Sequence, residues 1–304
     1  MKQDFVIALG ALYAPEQMKK NEPMAKHTSF KAGGCADIFV SPADHEQLKR
    51  TIRLCLRFGM PYFVIGNGSN ILVRDKGFRG VVISIDKAMS AVELLADDRI
   101  KAEAGAQLSA VANFALKQGL AGFEFAGGIP GTVGGAVYMN AGAYGGEMKD
   151  VFASAEVMTA DGAIRTITAD EIDFGYRKSK VQQDGLIVLS CVIALTKGDP
   201  EAIKEKMRDF SRRRADKQPL EKASAGSTFK RPEGHFAGKL IMDSGLGGFQ
   251  IGAAQVSEKH CGFVINNGGA TAADILNLMT HVRGVVYQNY GVTLEPEVRI
   301  IGEE

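Results

Sequence analysis

The alternation of apolar and polar residues predicts an opening α/β unit. Short apolar runs bounded by turn residues predict strands at 36–40, 62–65, 71–73 and 80–85. Residues 43–58 carry apolar side chains at helical spacing, and Gly59 marks the end of that helix. The apolar stretch 5–14 is interpreted as an N-terminal helix. A secretory signal is not favoured there, because Lys2 alone supplies a basic start and Asp4 interrupts the stretch.

The pattern then becomes mostly β around one glycine-dense segment. Hairpins are predicted over 91–104 and over 155–168, the second with a type I′ turn at Asp161-Gly162. A helix is predicted at 108–117 and a buried strand at 186–195. In the last third of the sequence, the pattern predicts a charged helix from Asp199-Pro200 to before Pro219 and strands near 249–265. It also predicts a helix from Thr271 and a strand at 293–301.

Composition removes several classes of function. The chain carries 36 basic and 35 acidic residues in 304, so no basic excess indicates nucleic acid. The run Arg212-Arg213-Arg214 is either a solvated helix face or an anion site, and the sequence leaves both open. The four cysteines are scattered without metal-ligand spacing, which is typical of reduced cysteines and predicts no metal site. No run of eighteen apolar residues predicts a membrane span.

Two glycine-rich loops indicate a long ligand with an anionic centre. Residues 127–146, GGIPGTVGGAVYMNAGAYGG, hold eight glycines between apolar and aromatic residues, unlike a flexible linker. Gly66-Asn67-Gly68-Ser69-Asn70 lies between two predicted strands, where it could form a phosphate-binding nest or a plain turn. It lacks the third glycine of a nicotinamide Rossmann motif, and Gly238-Lys239 lacks the rest of a P-loop.

Six motifs in order resemble one flavoenzyme family. They are GGCAD (33–37), VIGNGSNILV (64–73), the segment 127–146, GYRKS (175–179), KQP (217–219) with AGSTFK (225–230), and LEPEVR (294–299). Together these motifs resemble the UDP-N-acetylenolpyruvoylglucosamine reductases, also called UDP-N-acetylmuramate dehydrogenases, in their shorter subtype. That family belongs to the flavoprotein superfamily of vanillyl-alcohol oxidase and p-cresol methylhydroxylase. The resemblance covers residues 24–302.

The resemblance implies an α+β chain. It would hold a two-subdomain FAD-binding fold of the p-cresol methylhydroxylase type (1–89 and 90–198) and a smaller α+β substrate-binding domain (199–304). It also implies FAD bound non-covalently and reduced by NADPH, with the flavin supplying the redox chemistry. The implied cofactor-binding residues are Gly66, Asn67, Gly68, Ser69, Asn70, Ile71, Gly105, Gly127, Gly128, Ile129, Pro130, Gly131, Thr132, Gly134, Gly135 and Asn140.

Three further residues match the family's catalytic positions. The implied reaction delivers hydride to C3 of an enolpyruvyl ether on UDP-N-acetylglucosamine, and Ser227 would protonate C2. Arg177 and Glu297 would stabilise the enolate-like charge. Glu295 is a competitor two residues away, and Glu297 is chosen because the Glu-Val-Arg context matches there.

The resemblance also implies substrate contacts. These are assigned to Tyr144, Tyr176, Lys217, Lys230 and Arg231. Lys217 is expected at the substrate's diphosphate, with a solvated helix end as the alternative. Arg231 departs from the asparagine that many relatives carry and supplies another cation at that position.

Two other functions remain possible at this stage. One is an oxidase or dehydrogenase of the same fold with another substrate, although neither His27 nor Cys35 lies in a flavin-linking context. The other is a regulator that kept only the nucleotide cradle. For the reductase, the expected partner is a nucleotide-sugar, with no nucleic acid and no membrane. We expect a cytoplasmic monomer.

Overall fold

The computed structural model describes residues 3–304, so Met1 and Lys2 and the role given to Lys2 lie outside the described residues. The helices are α1 Gln3–Gly10, α2 His45–Phe58, α3 Leu108–Lys117, α4 Val133–Met139, α5 Lys180–Gln183, α6 Pro200–Lys217, α7 Ala237–Asp243 and α8 Ala272–Tyr290. The strands are β1 Met18–Pro23, β2 Cys35–Val40, β3 Tyr62–Ile65, β4 Ile71–Val73, β5 Phe78–Ser84, β6 Val92–Leu94, β7 Arg99–Glu103, β8 Leu120–Ala121, β9 Gly142–Ala143, β10 Gly146–Glu147, β11 Phe152–Met158, β12 Ile164–Thr168, β13 Ile187–Ala194, β14 Thr196–Lys197, β15 Ala223–Ser224, β16 Gln250–Ile251, β17 Ala254–Val256, β18 Val264–Asn266 and β19 Arg299–Ile301. The chain is therefore α+β, as predicted.

Contacts group the described residues into two compact units. Unit 1 comprises the described part of Met1–Lys19, with Ile38–Asn67 and Gly80–Arg214, and unit 2 comprises Lys20–Asp37, Gly68–Arg79 and Ala215–Glu304. Each unit is built from several chain segments. The three continuous domains expected from the sequence are not tested by this division and stay a prediction.

Unit 1 is built on an antiparallel sheet with the strand order β12-β11-β13-β7-β6. Helix α4 packs on this sheet, and Val137 and Leu189 are among the fully enclosed side chains. In unit 1, β3 also runs parallel to residues 81–84 of β5, with Tyr62 opposite Val81, and the sheet that contains this pair has the order β1-β2-β5-β3. The glycine loop 66–70 therefore starts directly at the end of a parallel strand.

Unit 2 contains a small antiparallel sheet, β15-β18-β17-β16, covered by helix α8. Leu278, Val282 and Val286 form the buried stripe of that helix. Helix α8 begins after its N-cap Thr271 and ends at Gly291, which has φ 67°. In a separate ladder β4 pairs in parallel with β19, placing Ile71 opposite Arg299.

Local signals located most elements, and their failures have physical causes. Helix α2 ends at the left-handed Gly59, as predicted, and at its start Gln47 N donates to the Asp44 carboxylate. Helix α4 went unpredicted because two of its first three residues are glycines, which disfavour helices. The type I′ turn at Asp161-Gly162 is wrong: of the two residues Gly162 alone has a positive φ, and type I′ needs both.

No helix within residues 3–304 combines the length and apolar character needed to cross a bilayer. The same residues contain no cluster of three or more His, Cys, Asp or Glu side chains placed to bind a metal.

Candidate active site

The two glycine-rich loops meet inside unit 1. A Cβ atom on Gly66 would overlap Thr132 Oγ1, so only glycine allows this approach. Asn67 Nδ2 donates to Pro130 O at 3.0 Å. The sequence proposed a common ligand for these loops, and the structure brings the two loops into contact through the side chains of Asn67 and Thr132.

The second half of the first loop is held within unit 2. Gly68 has φ 61°, a Cβ atom there would overlap His27 O, and Ser29 N donates to Gly68 O at 3.1 Å. Ser29 Oγ is buried and has no hydrogen-bond partner among the described residues. The backbone N–H groups of Asn67, Gly68 and Ser69 donate to no backbone carbonyl in residues 3–304. Orphaned donors at a glycine loop fit the pyrophosphate of FAD. The sequence did not predict Ser29, because what marks this residue is a buried hydroxyl without a hydrogen-bond partner, and that is visible only in the structure.

The glycine-dense segment packs on the turn between β7 and α3. Leu108 N donates to Gly131 O at 3.0 Å, and Gly134 N donates to Ala104 O at 2.9 Å. Gly105 is buried, and only glycine fits there because a Cβ atom would overlap Asp86 O. This packing leaves some of the predicted cofactor residues exposed, namely Asn67, Gly128, Pro130 and Gly135. FAD contacts by Gly127, Ile129 and the other members of that set stay predictions.

The Asn140 side chain links separate backbone segments of unit 1 by hydrogen bonds. It ends α4 with φ 43°, and its Nδ2 donates to Glu147 Oε2 at 3.0 Å and to Gly175 O at 3.1 Å. Its Oδ1 accepts from Lys149 N at 3.0 Å. These bonds account for the side chain's donors and for its acceptor. The structure thus gives Asn140 a positioning role, and a contact with FAD stays a prediction.

Arg177 lies at the tip of a tight turn that begins at Gly175. Gly175 and Lys178 exchange backbone hydrogen bonds of 3.0 and 3.2 Å, which leaves Tyr176-Arg177 as the connecting pair. Arg177 has φ 55°, an uncommon conformation for a residue with a side chain. Its guanidinium lies 5.2 Å from the centre of the Tyr176 ring, and that ring is half exposed. Both predicted residues are therefore presented by one strained turn.

Ser227 and Glu297 belong to neighbouring segments of unit 2. Phe229 bridges to Pro296, and Glu297 N donates to Thr228 O at 2.9 Å. The residue after Ser227 is therefore bonded to the backbone of Glu297. Asn70 Nδ2 donates to Glu297 O at 3.1 Å, which ties the end of the first glycine loop to the same segment.

The two candidate glutamates differ in their partners. Glu295 Oε2 forms an ion pair of 3.2 Å with Lys230 Nζ, and Lys230 N also donates to Glu295 O. Glu295 is exposed, whereas Glu297 is partly buried. The geometry supports Glu297 as the carboxylate of the site and gives Lys230 a structural partner.

The remaining predicted substrate residues lie at exposed positions. Tyr144 forms a two-residue turn with Gly145 (φ 54° and 87°) between β9 and β10, and its ring stacks on Phe210 at 4.7 Å. Lys217 ends α6, and the adjacent Gln218 has a buried Oε1 without a partner among the described residues. The Arg231 guanidinium lies 4.0 Å from the centre of the Phe236 ring, and its Nε donates to His235 O at 3.3 Å.

Arg214 emerges as a further candidate from the structure. Arg212 and Arg213 both bond to Asp209 at 2.7 Å, but within residues 3–304 no carboxylate pairs with Arg214. Its side chain approaches Gly128 closely enough that a Cβ there would lie 3.4 Å away. Burial lowers the pKa of this guanidinium. The sequence left two interpretations of the arginine run, a solvated helix face or an anion site. Arg212 and Arg213 fit the solvated face, whereas Arg214 is a cation beside the glycine-dense segment, where an anion could bind.

Comparison with known proteins agrees with these loops and with the fold. Residues 36–168 match the model of an FAD binding domain, and residues 218–301 match that of the C-terminal domain of UDP-N-acetylenolpyruvoylglucosamine reductase. The chain is 52% identical over 314 residues to the UDP-N-acetylenolpyruvoylglucosamine reductase of Agathobacter rectalis, covering 100% of both chains. It is 51% identical over 302 residues to that of Clostridioides difficile, covering 99% of both.

A solved structure is also similar. The crystal structure of the reductase from Thermus caldophilus matches with a TM-score of 0.80 and 35% identity, covering 93% of this chain and 98% of that one. The predicted flavoprotein fold is thereby confirmed, and the match to an FAD binding domain shows the cofactor. The chain is an FAD-dependent oxidoreductase and belongs to the UDP-N-acetylenolpyruvoylglucosamine reductase family.

Proposed function

We propose that this protein reduces the enolpyruvyl ether of UDP-N-acetylglucosamine to UDP-N-acetylmuramate, a peptidoglycan precursor, with NADPH as reductant. The observation that carries the proposal is the backbone pairing of 228–230 with 295–297. It holds the segments of Ser227 and Glu297 side by side, as a proton donor and a carboxylate acting on one substrate would require. FAD, when bound, supplies hydride transfer from NADPH to C3 of the substrate.

The side chains complete the reaction by stabilising the developing negative charge and by donating a proton. Arg177 carries a planar cation suited to the carboxylate end of the enolpyruvyl group, where negative charge develops. Ser227 Oγ gives its proton to C2 and regains a proton from solvent, and Glu297 acts as an acid or orients the reacting groups near the developing charge. Lys217, at the end of α6, binds the diphosphate. Tyr144 and Tyr176 present exposed rings to the nucleotide-sugar. We propose that the enzyme acts as a monomer in the cytoplasm.

Absorption spectroscopy tests the reaction directly. Purified protein should show the two-band spectrum of oxidised flavin, which should bleach with anaerobic NADPH and return when the enolpyruvyl substrate is added. Bleaching without recovery would reject the substrate and favour an oxidase or dehydrogenase of the same fold. A protein that binds FAD but does not react with NADPH would reject the reductant. Gel filtration with light scattering tests the monomer.

A further inference from the structure

We propose that His260 is a positioning residue for Ser227: a neutral imidazole that accepts a backbone hydrogen bond and thereby fixes the turn that anchors Thr228. This inference rests on the proposed role of Ser227 as proton donor. His260 does not touch the reacting atoms, and it acts through the backbone of Gly262.

The first step is a relay through one glycine. Gly262 N donates to His260 Nδ1 at 3.2 Å, while Gly262 O accepts from Thr228 N at 2.8 Å. Both polar backbone groups of Gly262 are therefore used, one by the imidazole and one by the residue after Ser227. A Cβ atom on Gly262 would lie 2.9 Å from the imidazole Cε1, so the ring approaches this closely only because the residue is glycine.

The second step is the junction at Thr228. This residue is fully buried, its Oγ1 accepts from Val264 N at 2.9 Å, and its carbonyl accepts from Glu297 N at 2.9 Å. Thr228 thus connects the turn at Gly262 to the Glu297 segment. On its other side Ser227 follows Gly226, which has φ 74° and open space around it. Ser227 therefore derives its backbone order mainly from Thr228.

The third step concerns the imidazole's proton. An Nδ1 that accepts a hydrogen bond must be unprotonated, so the neutral ring carries its proton on Nε2. Burial, the largest effect, lowers the pKa of His260 below its ordinary 6.5 against the raising effect of a hydrogen bond with its own backbone, and the positive charge of Lys217 lowers it further. Both effects keep the acceptor available at neutral pH.

Other charged groups around this ring have partners or neighbours of their own. Lys259 Nζ donates to Ala215 O at 2.6 Å, and Lys239 on α7 pairs with Asp243 at 2.7 Å. Glu258 lies beside Gly248 and acts on the thiol of Cys261. Lys217 is thus the charge that acts on His260 most directly.

Two substitutions separate the acceptor from the ring. H260F keeps an aromatic ring against Phe263, which His260 contacts edge-to-face at 4.9 Å, but it removes the acceptor. H260N keeps an acceptor close to the position of Nδ1. We expect H260F to slow substrate reduction by reduced enzyme about tenfold, the scale of one buried donor left unpaired, and H260N to restore most of that rate.

Controls and pH sharpen this test. Flavin reduction by NADPH should be unchanged in both variants, which also shows that they fold and hold FAD. H281F and H281N provide matched controls, because His281 stacks on Phe249 at 4.3 Å elsewhere in unit 2. The wild-type rate of substrate reduction should fall as the pH drops through the His260 pKa, and this acid limb should be absent in H260N.

Nitrogen NMR gives a readout independent of activity. With ¹⁵N-labelled histidine, His260 should show an unprotonated Nδ1 and a protonated Nε2, in protein with or without FAD, and should titrate below 6.5. A protonated Nδ1 at neutral pH would overturn the proposal. So would an H260F variant that reduces substrate as fast as wild type while S227A is slow. A fast S227A would instead remove Ser227 from the proton-donor role on which this proposal rests, whereas wild-type protein that fails to reduce the enolpyruvyl substrate would reject the proposed function itself.

Discussion

At the scale of single residues, Arg177 carries a backbone conformational cost that glycine would not have. Its left-handed backbone costs about 1–2 kcal/mol relative to glycine, and its side chain is only partly buried. Glycine would remove this backbone cost at the turn. An arginine there is consistent with a side chain kept for chemistry.

R177G should therefore be more stable than the wild type and less active. We expect the free energy of unfolding to rise by about 0.5–1 kcal/mol and substrate reduction to be nearly abolished, with thermal melts and single-turnover rates as the measurements. K31G is the matched control, since Lys31 is exposed and has φ 53°. It should give a similar stability gain with normal turnover. A destabilised R177G would contradict the strain argument.

Ser227→Ala should split the two half-reactions. Flavin reduction by NADPH should stay near wild type, while substrate reduction should fall by about 10²-fold or more, the scale of a positioned general acid. Anaerobic stopped-flow absorbance measures both. Equal loss in both steps would remove Ser227 from the proton-donor role.

The two glutamates should differ sharply. Glu297→Gln should lower kcat far more than Glu295→Gln, because Glu295 is exposed and pairs with Lys230. An exposed ion pair contributes about 0–1 kcal/mol to stability, so Glu295→Gln should have little effect on folding or turnover. Steady-state rates with both variants settle the assignment, and the reverse order of kcat would show that Glu295 is the catalytic carboxylate.

At the scale of elements, the start of helix α8 is capped from a distant part of the sequence. The Asp75 carboxylate accepts from Ala272 N and Ala273 N, both at 2.8 Å, in addition to the local cap by Thr271. A carboxylate at a helix N-terminus satisfies orphan donors and interacts favourably with the helix dipole. This contact joins two segments of unit 2.

Asp75→Ala should cost about 1–2 kcal/mol of unfolding free energy, and Asp75→Asn about half as much, because an amide offers one acceptor oxygen. Urea unfolding followed by circular dichroism measures both. Asp209→Ala, which removes a surface partner of Arg212 and Arg213 on α6, should change stability by less than about 1 kcal/mol. Equal effects of D75A and D209A would show that the cap contributes no more than a surface pair.

The sequence could predict the elements whose caps and apolar faces are local in the chain, but not the features that depend on contacts with distant segments. Helices α2 and α8 carry their caps and apolar stripes within their own residues, so both were located. Ser29 and Arg214 became candidates only through absent partners and through contacts with loops far away in the chain. Local pattern does not encode such contacts. The catalytic assignments came from resemblance to a family, because no period or cap distinguishes Ser227 from a turn serine.

At the scale of the whole molecule, cofactor binding should couple to folding. A ligand at one hundred times its dissociation constant stabilises the folded state by about 2.7 kcal/mol. Removing FAD should therefore lower the melting temperature, and adding FAD back should raise it in proportion to the logarithm of its concentration. Scanning fluorimetry with FAD, and with riboflavin as a control that lacks the pyrophosphate, measures this. A melting temperature independent of FAD would contradict the assignment of the loops.

The pairing of β4 with β19 also constrains how the protein is made. Strand β4, which directly follows the first glycine loop, pairs only with residues 299–301 in its ladder. The ribosome adds about 5–20 residues per second, so the 228 additions that lead from Ile71 to Arg299 take roughly 11–46 s. During that time β4 is an unpaired edge awaiting its partner. The growing chain can thus complete the strand pair beside its cofactor loop only after this long stretch of residues has been synthesised.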